Sequence, residues 1–245
     1  MNQAGSVPEI TLRIPGAWAH PGELLERLPD GFRLTPDALI LPDGREIAFF
    51  PMPPDDQFPE IFESSCRRAP REEELAVVAR YSVNVGLCGP GGSLESARTM
   101  MQAAAAVVKA GAAGVFIDNS GLAHGGQDWI ELTDDGGPEA LSFAFASIVR
   151  SKQEVYTMGL HALGFADVSM HPADIDEDGE TIIELIRYIC GSGRPIDVGH
   201  ILADERGPRF QIVGRTQDEF PTHSPMHNPF GRLKIVNAKE VAEGN

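Results

Sequence analysis

The stretch VNVGLCGPGGSLESARTMMQAAAAVVKAGAAGVFID, residues 83–118, decides the fold class. Val83 to Leu87 is an apolar run of strand length, Gly89-Pro90-Gly91-Gly92 is a tight loop, and Ser93 stands where a helix needs its N-cap. The spacing then predicts a helix to Ala110. Leu94, Ala97, Met101, Ala104 and Val108 take its inner face, and Arg98, Gln102 and Lys109 its outer one. The run Ala103 to Ala106 leaves room for a close approach to a sheet, and Gly111 lies just past the helix end. Ala113 to Asp118 is the next strand, which completes a strand–helix–strand unit.

Upstream, Glu9 to Ile14 alternates, with Ile10, Leu12 and Ile14 on one side and Thr11 and Arg13 on the other, the pattern of a half-buried strand. A short helix is expected over Pro21 to Leu28. Pro42-Asp43-Gly44 makes a turn between Ala38–Leu41 and Arg45–Phe50, a β-hairpin. The segment Pro51 to Pro59 holds four prolines, too many lost donors for regular structure. It reads as a connector and would bound an N-terminal subdomain, residues 1–59. Pro70 to Tyr81 reads as a helix with Glu72, Glu73 and Glu74 in its first turn.

Downstream, Leu141 to Val149 alternates bulky Leu141, Phe143 and Phe145 with small residues and is expected as a strand, with Glu154 to Leu160 as its partner and Val168 to Met170 as a third short run. Thr181 to Ile189 is strongly helical, with Ile182, Leu185, Ile186 and Ile189 at i, i+3, i+4 and i+7, and glycines at 191 and 193 to end it. Val198–Ala203 and Arg209–Val213 suggest a second hairpin. Strands mixed with helices and hairpins predict an α+β fold with a largely antiparallel sheet and helices mainly on one face. Residues 1–214 form the expected domain. Residues 215–245 read as an extended C-terminal arm, docked on its own domain or on a neighbouring subunit, with Leu233 to Val236 adding a strand to a sheet edge.

The 245 residues carry 20 Lys+Arg against 36 Asp+Glu, a net charge of −16, with 42% hydrophobic residues. That is enough apolar material for a core, and it excludes general disorder. A chain this acidic lacks the basic footprint of a nucleic-acid binder and would be repelled by anionic membrane surfaces. Three scattered cysteines without C-x-x-C spacing fit a reducing cytosol, and the first residues show neither a basic segment nor an apolar one of the signal-peptide kind. A cytoplasmic, unanchored protein is expected.

The candidate sites are few. Gly86 to Ser93 has the strand–glycine–helix frame of a phosphate loop, but Gly92 stands where the lysine belongs. Gly91, Gly92 and Ser93 at the helix start remain candidates for a small anion, against the simpler reading of a glycine turn. Cys88 precedes that helix, where a thiolate is stabilised, and needs a base; His124 or His161 would have to be brought to it by folding. Asp118-Asn119-Ser120-Gly121, His124-Gly125-Gly126 and Asp128-Trp129 make a polar loop after a strand, a common place for ligands. Cys88, Asp118 and His124 are therefore the catalytic candidates. Asp174 to Glu180 imitates the start of a calcium loop, yet the twelfth position is Leu185, so an acidic helix start explains it better. His223 and His227 are separated by Pro225, which breaks the helix a metal pair would need. No cofactor and no metal site is expected.

The segment Tyr156-Thr157-Met158-Gly159-Leu160-His161-Ala162-Leu163-Gly164, taken with the Ala-rich helix, the strand Gly114-Val115-Phe116-Ile117-Asp118 and the late helix at Ile182–Tyr188, resembles an uncharacterised bacterial domain-of-unknown-function family with a Y-T-x-G-L-x-x-x-G signature. The likeness covers roughly residues 75 to 214. His161 and Asp167-Val168-Ser169-Met170 depart from the family's more acidic version. The resemblance implies an α+β fold in the bacterial cytosol and carries no activity with it. With no complete catalytic constellation, the sequence points to a non-catalytic binding or protein-interaction module, with a protein partner or self-association through the C-terminal arm. The alternative is a small hydrolase-like enzyme with a site near Gly86–Ser93, Asp118 and His124.

Overall fold

The computed structural model describes residues 7–192, 196–203 and 209–238. Its elements are β1 (Glu9–Gly16), α1 (Pro21–Arg27), β2 (Arg33–Leu34), β3 (Ala38–Ile40), β4 (Glu46–Met52), α2 (Phe58–Ser65), α3 (Glu72–Val78), β5 (Val83–Pro90), α4 (Leu94–Lys109), β6 (Gly114–Ile117) and β7 (Leu122–Gly125). They continue with α5 (Gly126–Asp135), α6 (Pro138–Phe145), β8 (Ser147–Arg150), β9 (Val155–Met158), β10 (Asp167–Met170), α7 (Glu180–Ser192), β11 (Ile201–Ala203), β12 (Arg209–Thr216) and β13 (Arg232–Asn237). The fold is α+β, built on two sheets. A seven-stranded sheet has the order β2-β3-β4-β5-β1-β6-β7 and a six-stranded one β11-β12-β13-β10-β9-β8.

The strand–helix–strand unit at 83–118 has a third strand inside it. β1 pairs antiparallel with β5 on one side and with β6 on the other, so α4 carries the chain across β1. Ile10, Leu12 and Ile14 are fully buried under that helix, as their alternation requires. Ser93 caps α4, its hydroxyl accepting from Ser96 N–H at 3.0 Å. From Ala103 to Val108 every residue is buried. A helix apolar all round lies between layers, and α4 has the first sheet on one side and α5, α6 and the 3-10 turn Leu160–Leu163 on the other. Two indole N–H groups hold it: Trp18 donates to Ala110 O at its C-terminal end at 3.0 Å, and Trp129 to Met101 O at its middle at 3.2 Å. On the opposite face of the sheet, α2 and α3 set Phe58, Phe62, Val78 and Tyr81 against Ala113, Phe116 and Ala123.

Three expectations change. Leu141 to Phe145 is helical, part of α6, and the strand β8 begins only at Ser147. Pro138 opens the helix, and Ala140, Leu141, Ala144 and Phe145 are the buried stripe at i, i+1, i+4 and i+5. A five-residue alternation fits either period. Pro51 lies inside β4, opposite Val85, because β3 covers β4 only as far as Ala48 and the proline's missing donor faces an open edge. Leu233 to Val236 belong to β13, which sits inside the second sheet, antiparallel to β12 and parallel to β10, and not at its edge. The strands of residues 9–52 and those of 83–125 share the first sheet. The turn between the β11 and β12 strands lies outside the described residues, as does Gly193.

The acidic stretch before α7 acts on the helix. Asp176 carboxylate oxygens accept from Thr181 N–H at 3.4 Å and from its hydroxyl at 3.2 Å. Asp176→Ala is expected to lower stability by about 1 kcal/mol, the usual worth of a cap, read as a small fall in the urea midpoint at unchanged slope.

Candidate functional site

The nominated residues are distributed over separate environments. Cys88 lies on β5 beside Thr11, whose hydroxyl is 3.8 Å from its sulfur, and burial raises its pKa, which makes the thiol a weak nucleophile. Asp118 follows β6 and pairs with Arg13 at 2.8 Å; burial raises its pKa against the pull of that guanidinium. His124 is fully buried in β7. Its Nδ1 is 2.9 Å from Asp128 and its Nε2 3.1 Å from Ala144 O, and its ring lies 5.8 Å from that of Trp129. Against the upward push of burial, the hydrogen bond from His124 and the Arg68 cation at 2.6 Å lower the pKa of Asp128. The three candidates make no hydrogen bond with one another.

The glycine loop is similarly committed. Gly91 N–H donates to Pro8 O at 2.8 Å and Gly92 N–H to Ala162 O at 3.0 Å, while Ser93 is taken by its capping role. The Gly91 amide thus ties the loop to the start of β1, and the Gly92 amide ties it to the 3-10 turn of the second half.

That junction absorbs the Tyr156–Gly164 segment. Gly159 and Gly164 flank the 3-10 turn at φ +95° and +92°. A Cβ at Gly159 would stand 2.3 Å from Phe145 O, and one at Gly164 would stand 2.5 Å from Gly92 O. The Thr157 hydroxyl donates to Asp167 at 2.9 Å and accepts from Val168 N–H at 2.9 Å. Asp167 also accepts from Asn228 at 2.6 Å, and burial pushes its pKa up to about 7 against those bonds. Asn119, fully buried, accepts from Thr11 N–H at 2.9 Å and donates to Glu9 O at 2.8 Å and Pro225 O at 3.0 Å. His161 Nε2 also meets Pro225 O at 3.0 Å. The Asn119 Nδ2 amide lies 3.0 Å from the same ring nitrogen, and the buried Nδ1 has no hydrogen-bond partner. Thr157, Gly159 and Gly164 of the segment thus each have a structural reason.

A cleft of about 530 Å³ opens elsewhere, where the edge strands β7 and β8 of the two sheets come together. Leu122, Phe143, Ala146, Ile148, Ile183 and Ile186 give it apolar walls from β7, α6, β8 and α7. Arg67 enters from the chain after α2, where Cys66 bridges Ala123 of β7. Its guanidinium donates to Phe143 O at 2.7 Å and to Ala146 O, carbonyls at the α6 end, and lies 4.7 Å from the Phe143 ring centroid. Burial lowers its pKa. At the cleft, Arg187 and Glu139 pair at 2.8 Å. Ser147 is only 7% exposed and its hydroxyl has no hydrogen-bond partner. The burial of Cys66, with Glu74, Asp128 and Glu63 near it, pushes its thiol up to about 12, so it stays protonated beside the cleft.

Sequence reading missed this place because four distant segments build it. The one local signal was a cysteine-arginine-arginine run, Cys66 to Arg68, in an acidic chain. Among the described residues no helix is long and apolar enough to cross a membrane. No protein-family model, curated protein or solved structure matches the chain.

Proposed function

We propose that this protein is a non-catalytic binding module of the bacterial cytosol, akin to the uncharacterised family its Tyr156–Gly164 segment resembles, and that it holds a small, mainly apolar molecule in the cleft between β7 and β8. The carrying observation is a cleft of about 530 Å³ with apolar walls and a buried, unpartnered Ser147 hydroxyl. Small-molecule sites are typically about 300–1,000 Å³, apolar, with a few convergent polar groups. The separation of Cys88, Asp118 and His124 supports binding over the hydrolase alternative, since a nucleophile and its base need hydrogen-bond reach.

The neutral fluorophore N-phenyl-1-naphthylamine tests the reading. Saturable enhancement at one site per chain is expected, and Ile183→Trp, which fills the cleft from α7, should remove it. Ile148→Trp does the same from β8 should the first variant fold poorly. Dye binding unaffected by both folded variants would place the site elsewhere and end this proposal.

A further inference from the structure

The charges at the cleft are unequal. Its lining holds two arginines and one glutamate. Arg187 is answered by Glu139 at 2.8 Å and Glu180 at 3.1 Å. Arg68, next to Arg67 and stacked on the same Phe143 ring at 4.5 Å, is answered by Asp128 at 2.6 Å. Arg67 has no carboxylate within ion-pair distance among the described residues. Two carbonyls take two of its five N–H donors, and their partial charges do not balance a full cation. The nearby hydroxyls differ likewise: Ser142 donates to Glu139 O at 2.8 Å, while Ser147 donates to nothing. A buried donor without an acceptor costs about 1–3 kcal/mol, and an incompletely compensated cation in an apolar wall costs more. Both deficits are removed by one kind of ligand atom, an anionic oxygen.

We propose that the occupant of the cleft is a small aliphatic carboxylic acid, its carboxylate on Arg67 and Ser147 and its chain against Leu122, Ile148, Ile183 and Ile186. This rests on the cleft being a binding site. The planar guanidinium fork matches a carboxylate, and the isoleucines offer no partner to a polar tail. The net charge of −16 on the whole chain works against collecting anions from a distance, so recognition relies on the local pair, screened from the rest over about 8 Å at physiological salt.

Octanoate and 1-octanol share a chain and differ in the head. Both are titrated against the naphthylamine dye bound to the full-length protein. Octanoate is expected to displace the dye at a concentration about tenfold lower than octanol, the usual advantage of hydrogen bonds to a charged group. Ser147→Ala should weaken octanoate severalfold and leave octanol unchanged, while the urea midpoint of the free protein rises because the unpaired buried donor is gone. Arg67→Lys, which keeps the charge and loses the fork, should weaken octanoate further. Equal displacement by the two probes would overturn the carboxylate assignment while leaving the cleft a binding site. Displacement by neither, with the dye still dependent on Ile183, would overturn the aliphatic chain as well. A dye that never binds refutes the binding reading itself.

Discussion

Gly159→Ala is expected to lower the stability by roughly 2–5 kcal/mol, a large part of the about 5–15 kcal/mol that holds a typical domain folded. Two costs add. The backbone at Gly159 has φ +95°, in the left-handed region where a side chain costs about 1–2 kcal/mol. The added Cβ would also meet Phe145 O at 2.3 Å and the Ser120 Cβ at 2.7 Å, a backbone atom and a buried side-chain stem, neither able to swing away. Overpacking of that kind costs about 1–3 kcal/mol. Gly44 separates the two contributions: its φ is +87° but nothing lies within 4 Å of its Cβ position, so Gly44→Ala should lose about 1–2 kcal/mol and no more. Gly191, helical and with nothing within 4 Å, should gain from alanine by about 0.5–1 kcal/mol. Urea unfolding of the three variants gives the ranking directly. A Gly159→Ala midpoint equal to that of Gly44→Ala would mean that the 3-10 turn does not pack against Phe145 and Ser120.

The same glycine marks the limit of what the sequence made legible. Local patterns with a physical period were read correctly: the alternation at Ile10, Leu12 and Ile14, the cap at Ser93, and the stripe Ile182, Leu185, Ile186 and Ile189. Each is decided within a few residues by the pleat or the helical turn. Leu141 to Phe145 failed because five residues do not distinguish period 2 from period 3.6, and the deciding residue, Pro138, stands outside the run. Non-local pairing was not legible either. Nothing in Glu9–Gly16 announces that it lies between β5 and β6, and nothing in Leu233–Val236 announces a strand inside a sheet. For the candidate sites the difficulty was greater. Polar residues after a strand suggest a site, yet Asn119 spends its amide on Glu9, Thr11 and Pro225, holding the 217–231 segment to β1. The cleft depends on where Arg67, Ser147 and Ile183 meet, which only the packing of α6 and α7 against two sheet edges determines.

Within that junction two buried groups are expected to pull the stability in opposite directions as pH changes. Burial holds His161 down from 6.5 to about 4, with Pro225 O and Asp218 acting the other way and His227 adding to the lowering. Burial pushes Asp167 up from 3.8 to about 7, opposed by hydrogen bonds from Asn228, Thr157 and Leu160 N–H and by the charge of Arg232. Between pH 4 and 6.5 the unfolded chain protonates the histidine and the folded chain does not, so the His161 contribution grows as pH rises. Between pH 3.8 and about 7 the folded chain keeps a proton on Asp167 that the unfolded chain has released, so that contribution shrinks as pH rises. At about 1.4 kcal/mol per pH unit the contributions are on the order of 3 kcal/mol for His161 and on the order of 4 kcal/mol for Asp167 over their windows. In the wild-type chain they largely cancel from pH 4.5 to 6.5, and only the Asp167 loss continues towards 7. Single variants expose them. His161→Gln, which keeps a donor for Pro225 O, should lose stability relative to wild type steadily as pH rises through that range. Asp167→Asn should gain on wild type over the same range. Urea midpoints at half-unit pH steps give both difference curves, and their slopes must have opposite signs. Difference curves that are flat, or that tilt the same way, would show that the two groups titrate alike in the folded and unfolded chain, and the junction would then have to be open to water.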